Sequence, residues 1–157
     1  MSIKRKITII VANFYPDISS HLLEGVEIEL KKKKFRKIKT HSEYFEEKVS
    51  CYNIINVPGI FEIPVMAAKE IEKSDAIIAL GCVIKGKTPH FDFISKSVTD
   101  GIMNLSIEYK KPIGNGILTC LNKKQAEERA NIKKKNKGKD AALATFSLLN
   151  IWNASPI

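Results

Sequence analysis

Residues 77–92, IIALGCVIKGKTPHFD, decide the fold that this sequence predicts. The apolar residues from Ile77 to Val83 predict a strand that is buried on both faces. A loop with Gly86, two lysines, a threonine and a proline follows, and a helical pattern begins near His90. In open α/β sheets, ligands bind where a strand leads through such a loop into a helix. The stretch therefore predicts a parallel sheet with a ligand-binding rim.

Three other segments with strand character alternate with helical patterns. They are Ile7 to Ala12, Tyr52 to Val57 and Pro112 to Thr119. The element order β-α-β-α-β-α-β-α-α is typical of a parallel sheet with right-handed crossovers. We therefore expect a three-layer α/β/α, flavodoxin-like fold, with a four-stranded parallel sheet and helices on both faces.

Several element boundaries depend on single residues or weak patterns. Asp17 is expected to cap the first helix, and Asn122 begins a capping-box pattern for a short helix that runs through Arg129. The segment from Ile38 to Tyr44 alternates weakly, as a strand does. Helical spacing from Ala141 to Trp152 predicts the last helix.

The composition is that of an ordinary globular protein, with 157 residues, of which 44% are hydrophobic and 27% charged. One domain over residues 1–157 is expected. No apolar run reaches the length of a membrane span and no signal-peptide core is present, so we expect a cytoplasmic protein without a membrane partner. The three cysteines, Cys51, Cys82 and Cys120, are far apart and odd in number, which argues against a disulfide framework or a metal site.

The formal net charge of +9 comes largely from lysines, many of them clustered within residues 31–39 and 133–139. Such clusters can bind nucleic-acid phosphates, and they can equally be solvated surface. Attraction of a phosphorylated small substrate is the better functional use of part of this charge. We therefore do not expect a nucleic-acid partner.

Candidate site residues follow each predicted strand. Phe14 follows the first, residues 59–62 the second and residues 82–90 the third, while Asn115 lies on the fourth and Arg129 lies just beyond it. An aromatic face, a carboxylate, a histidine and an arginine together suit a planar polar heterocycle and a phosphate. The imidazole of histidine exchanges protons near neutral pH, which suits His90 to general acid–base catalysis.

Several of these residues also have a purely structural interpretation. Phe14 can pack at the strand–helix junction, Glu62 can interact with a helix dipole, and Cys82 can be a small apolar residue. A lone histidine such as His90 is more often structural than catalytic. No nucleophile constellation is visible, and no Gly-x-Gly-x-x-Gly follows the first strand, so no nucleotide cofactor is indicated.

Several motifs resemble one family. They are VPGIFEIP at 57–64, ALGCVIKGKTPHFD at 79–92, IGNGILT at 113–119, QAEERA at 125–130 and NKG at 136–138, with ANFY at 12–15 and LLEG at 22–25. In this order, over residues 5–152, they are similar to the 6,7-dimethyl-8-ribityllumazine synthases.

The resemblance implies condensation of 5-amino-6-(D-ribitylamino)uracil with 3,4-dihydroxy-2-butanone 4-phosphate, with release of phosphate and water. This is the penultimate step of riboflavin biosynthesis, and it requires no metal or organic cofactor. His90 is then the proton shuttle. The implied substrate-binding residues are Phe14, Ile60, Phe61, Glu62, Cys82, Val83, Ile84, Lys87, Thr88, Asn115 and Arg129.

The family also implies homopentamers with each active site between two neighbours, and some members assemble further into sixty-subunit capsids. The chain departs from many members at Lys85, where an arginine is common, and at Asn115, where an aromatic residue is common. Residues 35–56 are also longer than in many relatives. The alternatives are a non-catalytic flavin or lumazine carrier on the same fold, and a basic nucleic-acid-binding module.

Overall fold

The computed structural model describes residues 3–46 and 48–154. The strands are β1 Lys6–Ala12, β2 Arg36–Lys37, β3 Cys51–Val57, β4 Ala76–Ile84 and β5 Ile113–Cys120. The helices are α1 Pro16–Lys32, α2 His41–Glu46, α3 Ile63–Glu70, α4 His90–Tyr109, α5 Lys123–Ala130 and α6 Lys137–Ala154. Two short 3₁₀ helices, Ile60–Glu62 and Ile71–Lys73, flank α3.

The strands form one parallel sheet in the order β2-β3-β1-β4-β5. Helices α1, α5 and α6 pack on one face, and α3 and α4 pack on the other. Strand β1 lies in the middle of the sheet, and each of its residues is buried because both faces are covered. The predicted three-layer α/β/α, flavodoxin-like fold is confirmed.

The sheet has five strands, whereas four were predicted. The additional strand, β2, is only two residues long, and it pairs with β3 through Arg36 opposite Cys51 and Lys37 opposite Tyr52. Both β2 residues are exposed at the edge of the sheet. A strand this short and polar has no hydrophobic period, so the sequence gives no signal for it.

The weakly alternating segment after β2 forms helix α2, and no strand. Glu43, in the first turn of this helix, accepts hydrogen bonds from the backbone nitrogens of Lys39 and Thr40 at 3.1 and 3.2 Å. The carboxylate therefore satisfies donors at the start of the helix. These local hydrogen bonds outweigh the weak strand pattern.

The two predicted helix caps have different outcomes. Asp17 makes no capping hydrogen bond, because Tyr15 occupies the cap position and Pro16 begins the helix. The carboxylate of Asp17 lies in the first turn, where a negative charge interacts favourably with the helix dipole. Asn122 caps α5 as predicted, since its side-chain oxygen accepts a hydrogen bond of 2.9 Å from the backbone nitrogen of Gln125.

Lys6, at the start of β1, is 1% exposed. Burial lowers the pKa of Lys6 from 10.5, and the nearby carboxylate of Glu70 partly opposes this effect. Between the lowered pKa and 10.5, the folded chain binds fewer protons at this site than the unfolded chain. The contribution of Lys6 to the free energy of unfolding therefore rises with pH across that window.

We expect Lys6→Met to remove this rise. The stability difference between the wild type and the variant should shift in favour of the wild type as the pH increases from neutral towards 10.5. Urea denaturation over a pH series measures it, with the exposed Lys69→Met as the matched control. A difference that is independent of pH would contradict the prediction.

Candidate active site

Strands β1, β3 and β4 run parallel, so their carboxyl ends lie side by side. The segments that follow these carboxyl ends form the rim of the site. The 3₁₀ helix Ile60–Glu62 lies on this rim and packs directly over Gly81. A Cβ atom at Gly81 would lie 2.7 Å from Cγ2 of Ile60 and 2.9 Å from Cβ of Ala12. A side chain at this position in β4 would therefore collide with the 3₁₀ helix and with β1.

Two adjoining clefts open at this rim. The larger has a volume of about 550 Å³ and is lined by Phe14, Pro58, Gly59, Phe61, Glu62, His90, Phe93, Ile94 and Ser97. The smaller, of about 180 Å³, is lined by Phe14, Tyr15, Ile60, Cys82, Val83, Ile84, His90 and Ile94. Phe14, His90 and Ile94 line both clefts. Eight of the predicted site residues therefore lie around one continuous depression.

Three largely exposed aromatic side chains line the larger cleft. Phe14 is 70% exposed, Phe61 65% and Phe93 71%. The ring of Phe14 meets that of Tyr15 edge-on, with centroids 5.0 Å apart and an interplanar angle of 70°. This contact leaves a face of Phe14 open for stacking on a planar ligand.

Glu62 places a carboxylate at the same cleft. One of its oxygens, Oε2, accepts a hydrogen bond of 3.0 Å from the backbone nitrogen of Gly59. This bond fixes the side chain at the start of the 3₁₀ helix. Among the described residues, the other oxygen has no hydrogen-bond donor, so it can accept one from a ligand.

His90 is the first residue of α4, at the boundary between the two clefts. The preceding loop carries Lys87 and Thr88, which are exposed at the rim and line neither cleft. The hydroxyl of Thr88 accepts a hydrogen bond of 3.4 Å from the backbone nitrogen of His90. The described part of the chain shows no hydrogen bond between His90 and Asp92. An exposed imidazole thus faces both clefts beside a cationic loop.

Comparison with known proteins identifies the kind of site. A family model described as 6,7-dimethyl-8-ribityllumazine synthase matches residues 4–153. The chain belongs to this family. A 6,7-dimethyl-8-ribityllumazine synthase of Blochmanniella floridana is 41% identical over 148 residues, which cover 93% of this chain and 86% of the relative. One of Buchnera aphidicola subsp. Baizongia pistaciae (strain Bp) is 40% identical over 152 residues, covering 96% and 89%.

The expected activity is confirmed by these matches, since both relatives carry the name of the enzyme and are similar over most of the chain. The protein is an enzyme of riboflavin biosynthesis, a lumazine synthase acting as a transferase. The family model spans the rim, both clefts and the helices that follow β5. The geometry of the clefts can therefore be interpreted in terms of the lumazine synthase reaction.

Two predicted site residues, Asn115 and Arg129, lie away from the clefts. Asn115 is exposed on β5, opposite Ala79, and its side-chain oxygen accepts a hydrogen bond of 3.0 Å from the backbone nitrogen of Ile117. Arg129 lies on α5, which covers the face of the sheet opposite α3 and α4. Neither side chain lines the clefts of its own chain.

Cys82 lines the smaller cleft as a neutral thiol. Burial raises the pKa of Cys82 to about 12, and the neighbouring Cys120 adds to the effect. A thiol with such a pKa is protonated at neutral pH and is a poor nucleophile. This agrees with the interpretation of Cys82 as a small apolar residue.

Sequence reasoning did not assign several cleft residues to the site, above all Phe93, Ile94 and Ser97 on the first turns of α4. The sequence does contain a signal for Phe93. Phe93 is a large apolar residue that lies outside the buried stripe of an amphipathic helix, and such a residue is costly to expose unless it contacts a ligand or a partner. Phe93 lies one helical turn after His90 and lines the same cleft, which makes it a candidate for the site.

The lysine clusters are partly neutralised. Ion pairs join Lys32 to Glu29 at 2.8 Å, Lys37 to Glu27 at 3.3 Å and Lys137 to Asp140 at 3.2 Å. None of these lysines lines either cleft.

Among the helices of residues 3–46 and 48–154, none combines the length and the hydrophobicity that a membrane span requires.

Proposed function

We propose that the protein condenses 5-amino-6-(D-ribitylamino)uracil with 3,4-dihydroxy-2-butanone 4-phosphate in the two clefts. The observation that carries this proposal is the convergence of eight predicted residues on adjoining clefts that share Phe14 and His90. A heterocycle with a polar chain and a smaller phosphorylated partner need two connected volumes of this kind. The exposed loop with Lys87 and Thr88 lies beside His90, at the rim of these volumes.

The binding roles follow from the chemistry of the lining. The open face of Phe14 stacks on the pyrimidine ring. The available oxygen of Glu62 accepts hydrogen bonds from ribityl hydroxyls, and the backbone of residues 82–84 contacts the uracil edge. Lys87, Thr88 and Arg129 bind the phosphate as charged and hydroxyl donors.

His90 moves the protons that the reaction requires. The amine of the uracil adds to the ketone of the butanone, and the resulting carbinolamine hydroxyl must be protonated to leave as water. Loss of phosphate then requires a base near the adjacent carbon. An imidazole at the boundary of the two clefts can serve both steps. Much of the acceleration comes from holding two substrates together, which lowers the entropic part of the barrier.

We further propose a homopentamer in the cytoplasm, in which a neighbouring subunit completes each site with Asn115 and Arg129. Neither side chain reaches the clefts of its own chain. Phe61, Val65 and Phe93 are 65%, 70% and 71% exposed around the larger cleft and beside it, which is costly for a lone subunit. Contact between two different surfaces generates a closed ring when the rotation between neighbouring subunits closes.

The activity is tested by mixing the purified protein with both substrates and recording the absorbance of the lumazine product. We expect product and free phosphate to form in equal amounts. Binding of the lumazine without its formation would instead show a carrier. Light scattering measures the assembly, for which a pentamer or a multiple of five is expected.

A shared site is tested by subunit complementation. Homo-oligomers of His90→Ala and of Arg129→Ala should both be impaired. Mixed oligomers, refolded together from the two variants, contain some sites with an intact His90 and an intact Arg129, so they should regain activity. Failure of the mixtures to exceed the separate variants would place both residues in a site within one chain.

A further inference from the structure

The junction between α5 and α6 is attached to α1 by the side chain of Asn136, which is 2% exposed. Its amide nitrogen donates hydrogen bonds to the carbonyl of His21 in α1, at 2.9 Å, and to the carbonyl of Ala130, at 2.7 Å. Its oxygen accepts a hydrogen bond of 2.8 Å from the backbone nitrogen of Lys139. One buried carboxamide thus connects the end of α5, the start of α6 and the middle of α1.

Two glycines allow this close contact. A Cβ atom at Gly25 would lie 2.0 Å from the side-chain oxygen of Asn136, and one at Gly138 would lie 2.0 Å from the carbonyl oxygen of Leu22. A side chain at Gly138 would collide with the backbone of Leu22, and one at Gly25 would displace the carboxamide of Asn136. Gly25 therefore leaves space for Asn136, and Gly138 lets the start of α6 approach α1.

The hydrogen bond to Ala130 connects this junction to Arg129. Ala130 is the last residue of α5 and follows Arg129 directly. The guanidinium of Arg129 donates to the carbonyl of Gln125, at 3.4 Å, in the same helix. Because the side chain is held to its own short helix, the position of that helix decides where the guanidinium lies.

We propose that Asn136 is a positioning residue for Arg129: its carboxamide fixes the carboxyl end of α5 against α1 and so sets the position at which the guanidinium binds the substrate phosphate. This inference rests on the proposed role of Arg129. The two functions of Asn136, capping α6 and holding α5, use different atoms. The oxygen caps α6, and the amide nitrogen holds α5.

Asn136→Ser separates these two functions. Serine caps a helix about as well as asparagine, but it is too short to reach the carbonyls of His21 and Ala130. We expect the KM for the phosphorylated butanone to rise about tenfold, as for a weakened hydrogen bond to a charged group. The KM for the uracil substrate should remain unchanged. Inhibition by inorganic phosphate should weaken by the same factor.

A second variant and two controls make the test decisive. Asn136→Asp keeps the capping oxygen and replaces the donor that holds α5, so it should have the same effect on the KM. Thr145→Ala removes a buried hydrogen bond of 2.8 Å within α6, to Ala141, and controls for lost stability alone. In an Arg129→Ala background, Asn136→Ser should not raise the butanone KM further, because the group that it positions is absent.

The outcomes distinguish this inference from the proposed function. If Arg129→Ala raises the butanone KM but Asn136→Ser and Asn136→Asp do not, the inference alone is wrong. Equal changes in both KM values, changes matched by Thr145→Ala, or failure of both Asn136 variants to fold would show a purely structural role and overturn it. If Arg129→Ala leaves the KM unchanged, the proposed role of Arg129 fails and the inference fails with it.

Discussion

Arg129→Ala is expected to lower kcat/KM about 100-fold, near the upper end of what the loss of a hydrogen bond to a charged group costs. The loss should appear mainly as a higher KM for the phosphorylated butanone, because the guanidinium of Arg129 is proposed to bind the phosphate and the uracil is bound elsewhere. Steady-state kinetics with each substrate varied in turn measures it.

Two variants on the same helix sharpen this test. Lys124→Ala removes an exposed positive charge from α5 and should have little effect on either KM. Arg129→Lys keeps a charge but loses the planar pair of donors, so it should recover only part of the affinity. An equally strong effect of Lys124→Ala would show that the basic surface attracts substrate in general and that no specific contact is made.

His90→Ala is expected to reduce kcat about 100-fold, the lower end of what a positioned general acid–base group contributes. Both KM values should change little, since Phe14 and Glu62 still bind the uracil and Arg129 still binds the phosphate. The remaining rate should exceed that of the two substrates without enzyme, because the protein still brings them together. Single-turnover measurements with saturating substrates isolate this step.

The matched control for this substitution is His21→Ala. His21 is exposed on α1, and its backbone carbonyl, which Asn136 uses, is kept in the variant. Its kcat should equal that of the wild type. An unchanged kcat in His90→Ala, or a loss confined to KM, would assign His90 to binding and require another source of protons.

The rim residues were predictable because they follow strands that are encoded locally. Continuous apolar segments specify β1 and β4, and parallel strands bring the residues that follow them to one edge. Phe14 and His90 could therefore be placed together from the sequence. The two-residue strand β2 could not be predicted, since Arg36 and Lys37 form no pattern of their own and pair only because β3 lies beside them.

The resemblance to the family supplied the role of Arg129, which spacing alone could not give. The start of α6 was also predicted too late, at Ala141, because Gly138 interrupts the helical pattern. In the structure, that glycine is needed for contact with Leu22, and α6 begins at Lys137, directly after Asn136 caps it. Local propensity was outweighed there by contact with a distant element.

The sequence by itself determined the fold class, the parallel strands β1, β3, β4 and β5, and eight of the residues that line the clefts, because hydrophobic periodicity and turn residues act over short segments. Only the tertiary structure decided that Phe93 lines the cleft, that Gly81 admits the 3₁₀ helix over the sheet, and that Asn136 binds His21, 115 residues away in the chain. Such contacts depend on the packing of elements that are distant in sequence, and no local pattern encodes that packing.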